Sequence, residues 1–90
     1  MNWYMIRVND GSPTGYSFVG SSLDSLECLA EKAMRGEYVR LDNLLYYDQG
    51  EVKDWAQWDN RFAATVAINP AHIIAIQPFK GDPRRVPRSI

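Results

Sequence analysis

Residues 66–78 read VAINPAHIIAIQP, two β-branched stretches on either side of a short polar break. Every second residue from Phe62 to Ile68 is apolar, which predicts a strand with one buried face. Proline lacks a backbone donor and restricts the preceding residue to extended conformations, so this strand should end near Asn69 and Pro70. A last strand is expected from Ile73 to Phe79. The two strands are therefore joined by a tight break.

The same alternation appears at the other end of the sequence. From Trp3 to Val8, apolar residues occupy every second position and predict a first strand. Residues 9–15 combine asparagine, aspartate, glycine, serine and proline, a composition that favours reversal of the chain. A short second strand is expected from Tyr16 to Val19.

One helix is predicted after the second strand, from Asp24 to Arg35. Ser21, Ser22 or Asp24 can accept hydrogen bonds from its first N–H groups, and Gly36 can end it in the left-handed conformation. The residues that recur at helical spacing and should face the sheet are Leu23, Leu26, Leu29, Ala30, Ala33 and Met34.

Strand and turn patterns follow Gly36. Residues 38–47 alternate around an interruption at 42 and 43, which predicts one bent strand with a bulge, or two shorter strands. Residues 48–50 have the composition of a hairpin turn, and a partner strand is expected from Val52 to Trp58. This order of elements predicts an α+β fold with one helix and about five or six strands in a small, strongly bent antiparallel sheet or a barrel. A flatter meander is the alternative.

Residues 66–78 resemble the last two strands of SH3-like and Sm-like barrels, and this resemblance implies a barrel-type ending for the sheet. Bacterial Sm-like RNA chaperones have Tyr-Lys-His where this chain has Asn69, Pro70 and Ala71. Their helix also precedes the first barrel strand, whereas here a strand precedes the helix. The resemblance therefore carries no RNA-binding residue over to this chain.

Charge is distributed unevenly along the 90 residues, whose formal net charge is -1. Residues 1–79 carry six bases and ten acids, a net charge of -4. Residues 80–90 carry four bases and one acid, a net charge of +3, with little that could be buried. We therefore expect a single domain over residues 1–80 and a mobile basic tail over residues 81–90 that contributes little to the fold.

Composition favours a soluble protein in a reducing, cytoplasmic setting. Cys28 is the only cysteine, so no intrachain disulfide can form. No apolar run approaches the ~20 residues that span a bilayer, and the first residues lack the pattern of a signal peptide.

Residues that could support catalysis are scarce. His72 is the only histidine, and nothing in the sequence brings it near Cys28. Catalysis by a nucleophile or a metal needs several such groups together, so we expect no enzyme activity, no metal site and no cofactor. The glycines near residues 11–15 and 20 match no phosphate-binding motif.

Eleven aromatic residues are many for a chain of this length. Adjacent aromatics on a strand face opposite sides of the sheet, so some of them should form a second packed surface or an exposed one. An exposed aromatic surface is typical of protein interfaces. The candidate binding residues are Tyr46, Tyr47, Trp55, Trp58, Arg84, Arg85 and Arg88.

These observations predict a non-catalytic binding module that acts through protein–protein contacts, and the apolar stretch from Ile73 to Ile76 also suggests a homodimer. The alternative is a small barrel that binds nucleic acid through exposed aromatics and the C-terminal arginines. Acidic residues in the predicted hairpins oppose that alternative, because they repel phosphate.

Overall fold

The computed structural model describes residues 1–9, 11, 13, 15–48, 51–55, 61 and 63–84. Within these residues the chain forms one α-helix, one short 3-10 turn and six strands, all of whose pairings are antiparallel. The elements in chain order are β1 (Asn2–Val8), β2 (Tyr16–Ser22), α1 (Leu26–Met34), β3 (Val39–Asp48), β4 (Glu51–Asp54), β5 (Val66–Ile68), the 3-10 turn (Pro70–His72) and β6 (Ile73–Pro78).

The strands follow the spatial order β4-β3-β2-β1-β6, and β5 pairs with the N-terminal half of β3. The predicted α+β fold is confirmed. Of the two architectures that the sequence left open, the strongly bent antiparallel sheet is the one that forms, and the sheet is not closed into an SH3-like or Sm-like barrel. β5 is only three residues long, and the structure records no pairing between it and β6 within the described ranges. The helix contacts β3, β6 and the 3-10 turn, so it packs where the sheet stays open.

Two strands separated by a tight break form at the end of the described chain, as the sequence predicts, but β5 begins at Val66 rather than near Phe62, which lies outside the described residues. Asn69 precedes the 3-10 turn, and its side-chain oxygen accepts a hydrogen bond from the backbone N–H of Ala71 at 3.0 Å. The carbonyl of His72 then accepts from the N–H of Asn9 at 2.9 Å, which ties the turn to the end of β1. This turn leads the chain from β5, beside β3, to β6, beside β1.

A bulge bends β3 where the sequence pattern is interrupted. Asn43 adopts a left-handed conformation with φ of 51°, and the register between β2 and β3 shifts between Val19 and Ser21. The Asn43 side-chain amide donates to the Ser21 hydroxyl at 2.8 Å, and that hydroxyl donates to the carbonyl of Asp42 at 3.2 Å. The sequence therefore predicted one bent strand correctly.

The helix begins later than the sequence predicts, and its N-cap is Ser25 rather than Ser21, Ser22 or Asp24. The Ser25 hydroxyl accepts from the N–H of Cys28 at 3.2 Å. Its C-terminal end agrees with the prediction, because Gly36 has φ of 79° and its N–H donates to the carbonyl of Ala33 at 3.1 Å. Two of the six positions predicted to face the sheet are wrong, since Leu23 and Met34 are each 87% exposed.

Apolar side chains form two clusters on opposite faces of the sheet, as the period of a strand requires. The main core lies on the side of α1 and includes Tyr4, Ile6 and Leu29. Trp3, next to Tyr4 on β1, points to the other face. There it forms a second cluster whose members are Trp3, Val19 and Leu45, with Met5, Val52 and Phe79 packed against them.

Candidate functional site

An open cleft of about 620 Å³ lies at one end of the sheet, and we call it the terminal cleft. Three segments form it: residues 1–4 at the start of β1, residues 25 and 26 at the start of α1, and the end of β6 with the residues that follow it, from Pro78 to Asp82 together with Arg84. They meet because β1 and β6 are antiparallel neighbours, with Tyr4 opposite Pro78. Both ends of the described chain therefore contribute to one surface.

Asp82 and Arg84 form a compact turn beside this cleft. The guanidinium Nε donates to Asp82 Oδ1 at 3.1 Å, and Nη2 donates to Oδ2 at 2.9 Å. The backbone N–H of Arg84 also donates to Oδ1 at 2.9 Å. These contacts hold the pKa of the Arg84 guanidinium above its ordinary value, chiefly through the hydrogen bonds with Asp82. The pair is therefore fixed in orientation, and its two charges offset each other.

The second cluster anchors this turn to the sheet. The Arg84 guanidinium carbon lies 4.7 Å from the centre of the Trp3 ring, within the range of a cation–π interaction. Trp3 is only 6% exposed, and Pro83, between the two paired residues, is buried. The backbone N–H of Phe79 donates to the carbonyl of Trp3 at 2.9 Å. The segment after β6 is thus packed on the sheet at least as far as Arg84.

The opposite wall of the cleft is fixed by Asp24, which precedes the helix. The buried Tyr4 hydroxyl donates to the Asp24 carbonyl at 2.6 Å, and the Asn2 amide donates to the same oxygen at 3.1 Å. The Asp24 carboxylate accepts from the Lys32 ammonium at 2.7 Å. That hydrogen bond lowers the pKa of Asp24 and raises the pKa of Lys32, while burial raises the pKa of Tyr4.

Lys80 differs from the other charged residues of the cleft. Its side chain is exposed, and the structure records no hydrogen bond or ion pair for it with any other described residue. Asp82 and Arg84, in contrast, are bonded to each other. Among the charged side chains that line the cleft, Lys80 is therefore the one that a bound molecule can reach without displacing an existing contact.

Only part of the residue set predicted from the sequence falls within the described ranges. Arg84 lies in the turn above, Tyr46 is half-buried on β3, and Trp55 is half-buried against the main core. Trp55 and Arg84 thus pack on different clusters. Outside the described part lie the Tyr47 side chain and the whole of Trp58, Arg85 and Arg88.

Sequence reasoning missed four residues of the cleft as members of one site. Trp3 was counted among the aromatics and Lys80 and Asp82 among the tail charges, but nothing local relates the start of the chain to residues 79–84. Phe79 was predicted as the end of the last strand, and nothing in the sequence indicated that it belongs to a binding site. Their proximity follows from the pairing of β1 with β6.

The terminal cleft contains groups suited to noncovalent binding. Cys28 and His72 do not line it, and within the described residues no group of three His, Cys, Asp or Glu side chains could hold a metal ion. Its walls combine apolar side chains, including Leu26 and Phe79, with the charges of Lys80, Asp82 and Arg84. In the part of the chain that the structure describes, no helix is long and apolar enough to cross a membrane.

Comparison with known proteins adds no relative from which a role could be inferred. No protein-family model, no curated protein sequence and no solved structure matches this chain.

Proposed function

We propose that this protein is a small non-catalytic binding module that acts through protein–protein contacts, and that the terminal cleft receives a segment of its partner. The observation that carries the proposal is the cleft itself: apolar side chains and fixed charges meet in an open space of about 620 Å³. Binding sites typically combine an apolar surface with a few positioned polar groups in this way.

Order in the walls supports the proposal. One wall is held by the hydrogen bonds of Tyr4 and Asn2 to the Asp24 carbonyl, and the other by the turn that includes Arg84. A surface whose groups are already fixed loses little conformational entropy when a ligand binds. The cleft can therefore bind a short segment without prior rearrangement of these groups.

A peptide library displayed on phage and selected against the immobilised full chain tests this function. Gly81 lines the cleft, and a Cβ atom placed there meets nothing within 4 Å, so Gly81→Tyr fills the cleft without a clash at that atom. We expect selected peptides to lose affinity for Gly81→Tyr. Ala67→Tyr, at an exposed position of β5 outside the cleft, is the matched control and should bind them normally.

The same variants distinguish the alternative function, nucleic-acid binding. We expect a fluorescent single-stranded oligonucleotide to bind the wild-type chain weakly in anisotropy measurements at physiological salt. Two results together would favour nucleic-acid binding instead: tight oligonucleotide binding that weakens steeply with salt, and a peptide selection in which no enriched peptide loses affinity for Gly81→Tyr.

A further inference from the structure

We infer that the partner segment bound in the terminal cleft is acidic, and that Lys80 binds one of its carboxylates. This inference rests on the proposed function and names the chemistry of the partner. It starts from the charged side chains of the cleft: two cations, Lys80 and Arg84, and one anion, Asp82. Because Arg84 and Asp82 are paired, the remaining side-chain charge at the cleft is the positive charge of Lys80.

The acid that precedes the helix, Asp24, does not cancel this charge. Asp24 is bonded to Lys32 at 2.7 Å, so its carboxylate already has a cation. The helical wall itself contributes Ser25 and Leu26, neither of which is charged. A carboxylate in the cleft therefore meets Lys80 without an unpaired acid among the described lining residues.

The distribution of charge along the sequence favours the same partner. The two bases that follow Arg84 in the sequence, Arg85 and Arg88, bring the net charge of residues 80–90 to +3, against -4 for residues 1–79. An acidic segment is attracted to the basic end of the chain, and a basic segment is repelled by it.

The burial of Trp3 favours a peptide over single-stranded nucleic acid as the occupant of the cleft. Trp3 is 6% exposed, and the Arg84 guanidinium lies over its ring. Bases bind single-strand sites by stacking on accessible aromatic faces, which Trp3 does not offer. A carboxylate needs only an accessible cationic donor such as the Lys80 ammonium.

Three synthetic peptide pools test the inference. They share the same apolar positions and carry glutamate, glutamine or lysine at the remaining ones. We expect the glutamate pool to bind the full chain about tenfold more tightly than the glutamine pool, as one charge-assisted hydrogen bond allows. Lys80→Glu should abolish this preference, and Arg7→Glu, an exposed cation that does not line the cleft, should preserve it.

Each outcome has a separate meaning. Equal binding of the glutamate and glutamine pools, with both still blocked by Gly81→Tyr, would overturn the acidic partner and leave the proposed function intact. A glutamate preference that survives Lys80→Glu would overturn the role of Lys80. Competition by an oligonucleotide against every pool would replace the peptide with nucleic acid, and binding of no pool would contradict the proposed function itself.

Discussion

The guanidinium of Arg84 stacks on the ring of Trp3 at 4.7 Å, and so connects the two ends of the described chain across the second cluster. Asp82 fixes the guanidinium in that position through two side-chain hydrogen bonds. Residues 82–84 therefore belong to the packed structure, although the sequence suggests that everything after residue 80 contributes little to the fold.

Replacement of Arg84 measures this contribution. We expect Arg84→Gln to lower the free energy of unfolding by about 1 kcal/mol, because it removes the cation over Trp3. In a domain of this size such a loss corresponds to a decrease in Tm of roughly 4–8 °C. Arg35→Gln is the control, since the exposed Glu37, two residues away, is the side-chain partner of Arg35 among the described residues. Equal Tm values for the two variants would show that the stacking contributes nothing measurable.

A close approach of β2 to β3 predicts a second stability effect. A Cβ atom on Gly20 would lie 2.8 Å from the carbonyl oxygen of Asp42 and 3.1 Å from side-chain atoms of Leu41 and Leu44. We expect Gly20→Ala to destabilise the fold by about 1–3 kcal/mol, because the backbone of β3 would have to move. Urea unfolding measures the effect. Gly81→Ala, whose Cβ meets nothing within 4 Å, should unfold like the wild type.

Local chemistry explains what could be predicted from the sequence. Gly36 ends the helix because glycine adopts a positive φ without steric strain. This conformational preference depends on one residue alone, so the sequence reveals it directly. The N-cap could not be chosen in the same way, because four polar residues, 21, 22, 24 and 25, compete for it. Long-range contacts decide between them: Ser21 and Ser22 pair with Trp3 and Asn2 on β1, and the Asp24 carboxylate is bonded to Lys32. Ser25 is therefore the residue that caps the helix.

The candidate site could not be predicted for a different reason. Its residues come from three distant parts of the chain, and only the pairing of β1 with β6 brings two of those parts together. The sequence favours exposed aromatics as the binding surface, whereas Trp3 is buried under Arg84, and Lys80 is the charged side chain of the cleft that is not paired with another described residue. Burial of a particular aromatic depends on these long-range contacts.

The ion pair of Asp24 with Lys32 predicts a pH dependence of stability. The pKa of Asp24 is lowered in the folded state, so the pair stabilises the protein above the ordinary pKa of aspartate and is lost as the pH falls through the folded value. We expect Asp24→Asn to be less stable than the wild type at neutral pH. This difference, measured by urea unfolding, should shrink in acid. If the difference in unfolding free energy between the two proteins stays constant with pH, the destabilisation does not come from loss of the Asp24 charge.

The absence of catalysis predicted from the sequence is tested at Cys28 and His72. Cys28 is half-buried on α1, and the His72 side chain is exposed next to β6. We expect Cys28→Ala and His72→Gln to bind the selected peptides with unchanged affinity, because neither residue lines the terminal cleft. Hydrolase or transferase turnover by the wild-type chain that disappears in either variant would contradict the non-catalytic function.

The predicted homodimer requires a surface other than a simple extension of the sheet at β6. Ile74 has no partner on β1, because Arg7 pairs with Ala75 and Val8 with Ile73. A bulge at one end of an edge strand and a proline, Pro78, at the other both disfavour pairing with another strand. An interface formed by side chains is consistent with this edge.

Ile74 on β6 and Tyr16 on β2 are exposed apolar residues that both line an open groove of about 190 Å³, and Ile74 is 64% exposed. We expect the wild-type chain to sediment as a dimer at micromolar concentration and Ile74→Lys to shift it towards the monomer, since the lysine would place a charge inside the interface. Met34→Lys, which alters an apolar residue that is 87% exposed on the helix, is the control and should leave the dimer intact. A monomeric wild type would exclude the homodimer, and a dimer that tolerates Ile74→Lys but not Met34→Lys would place the interface on α1.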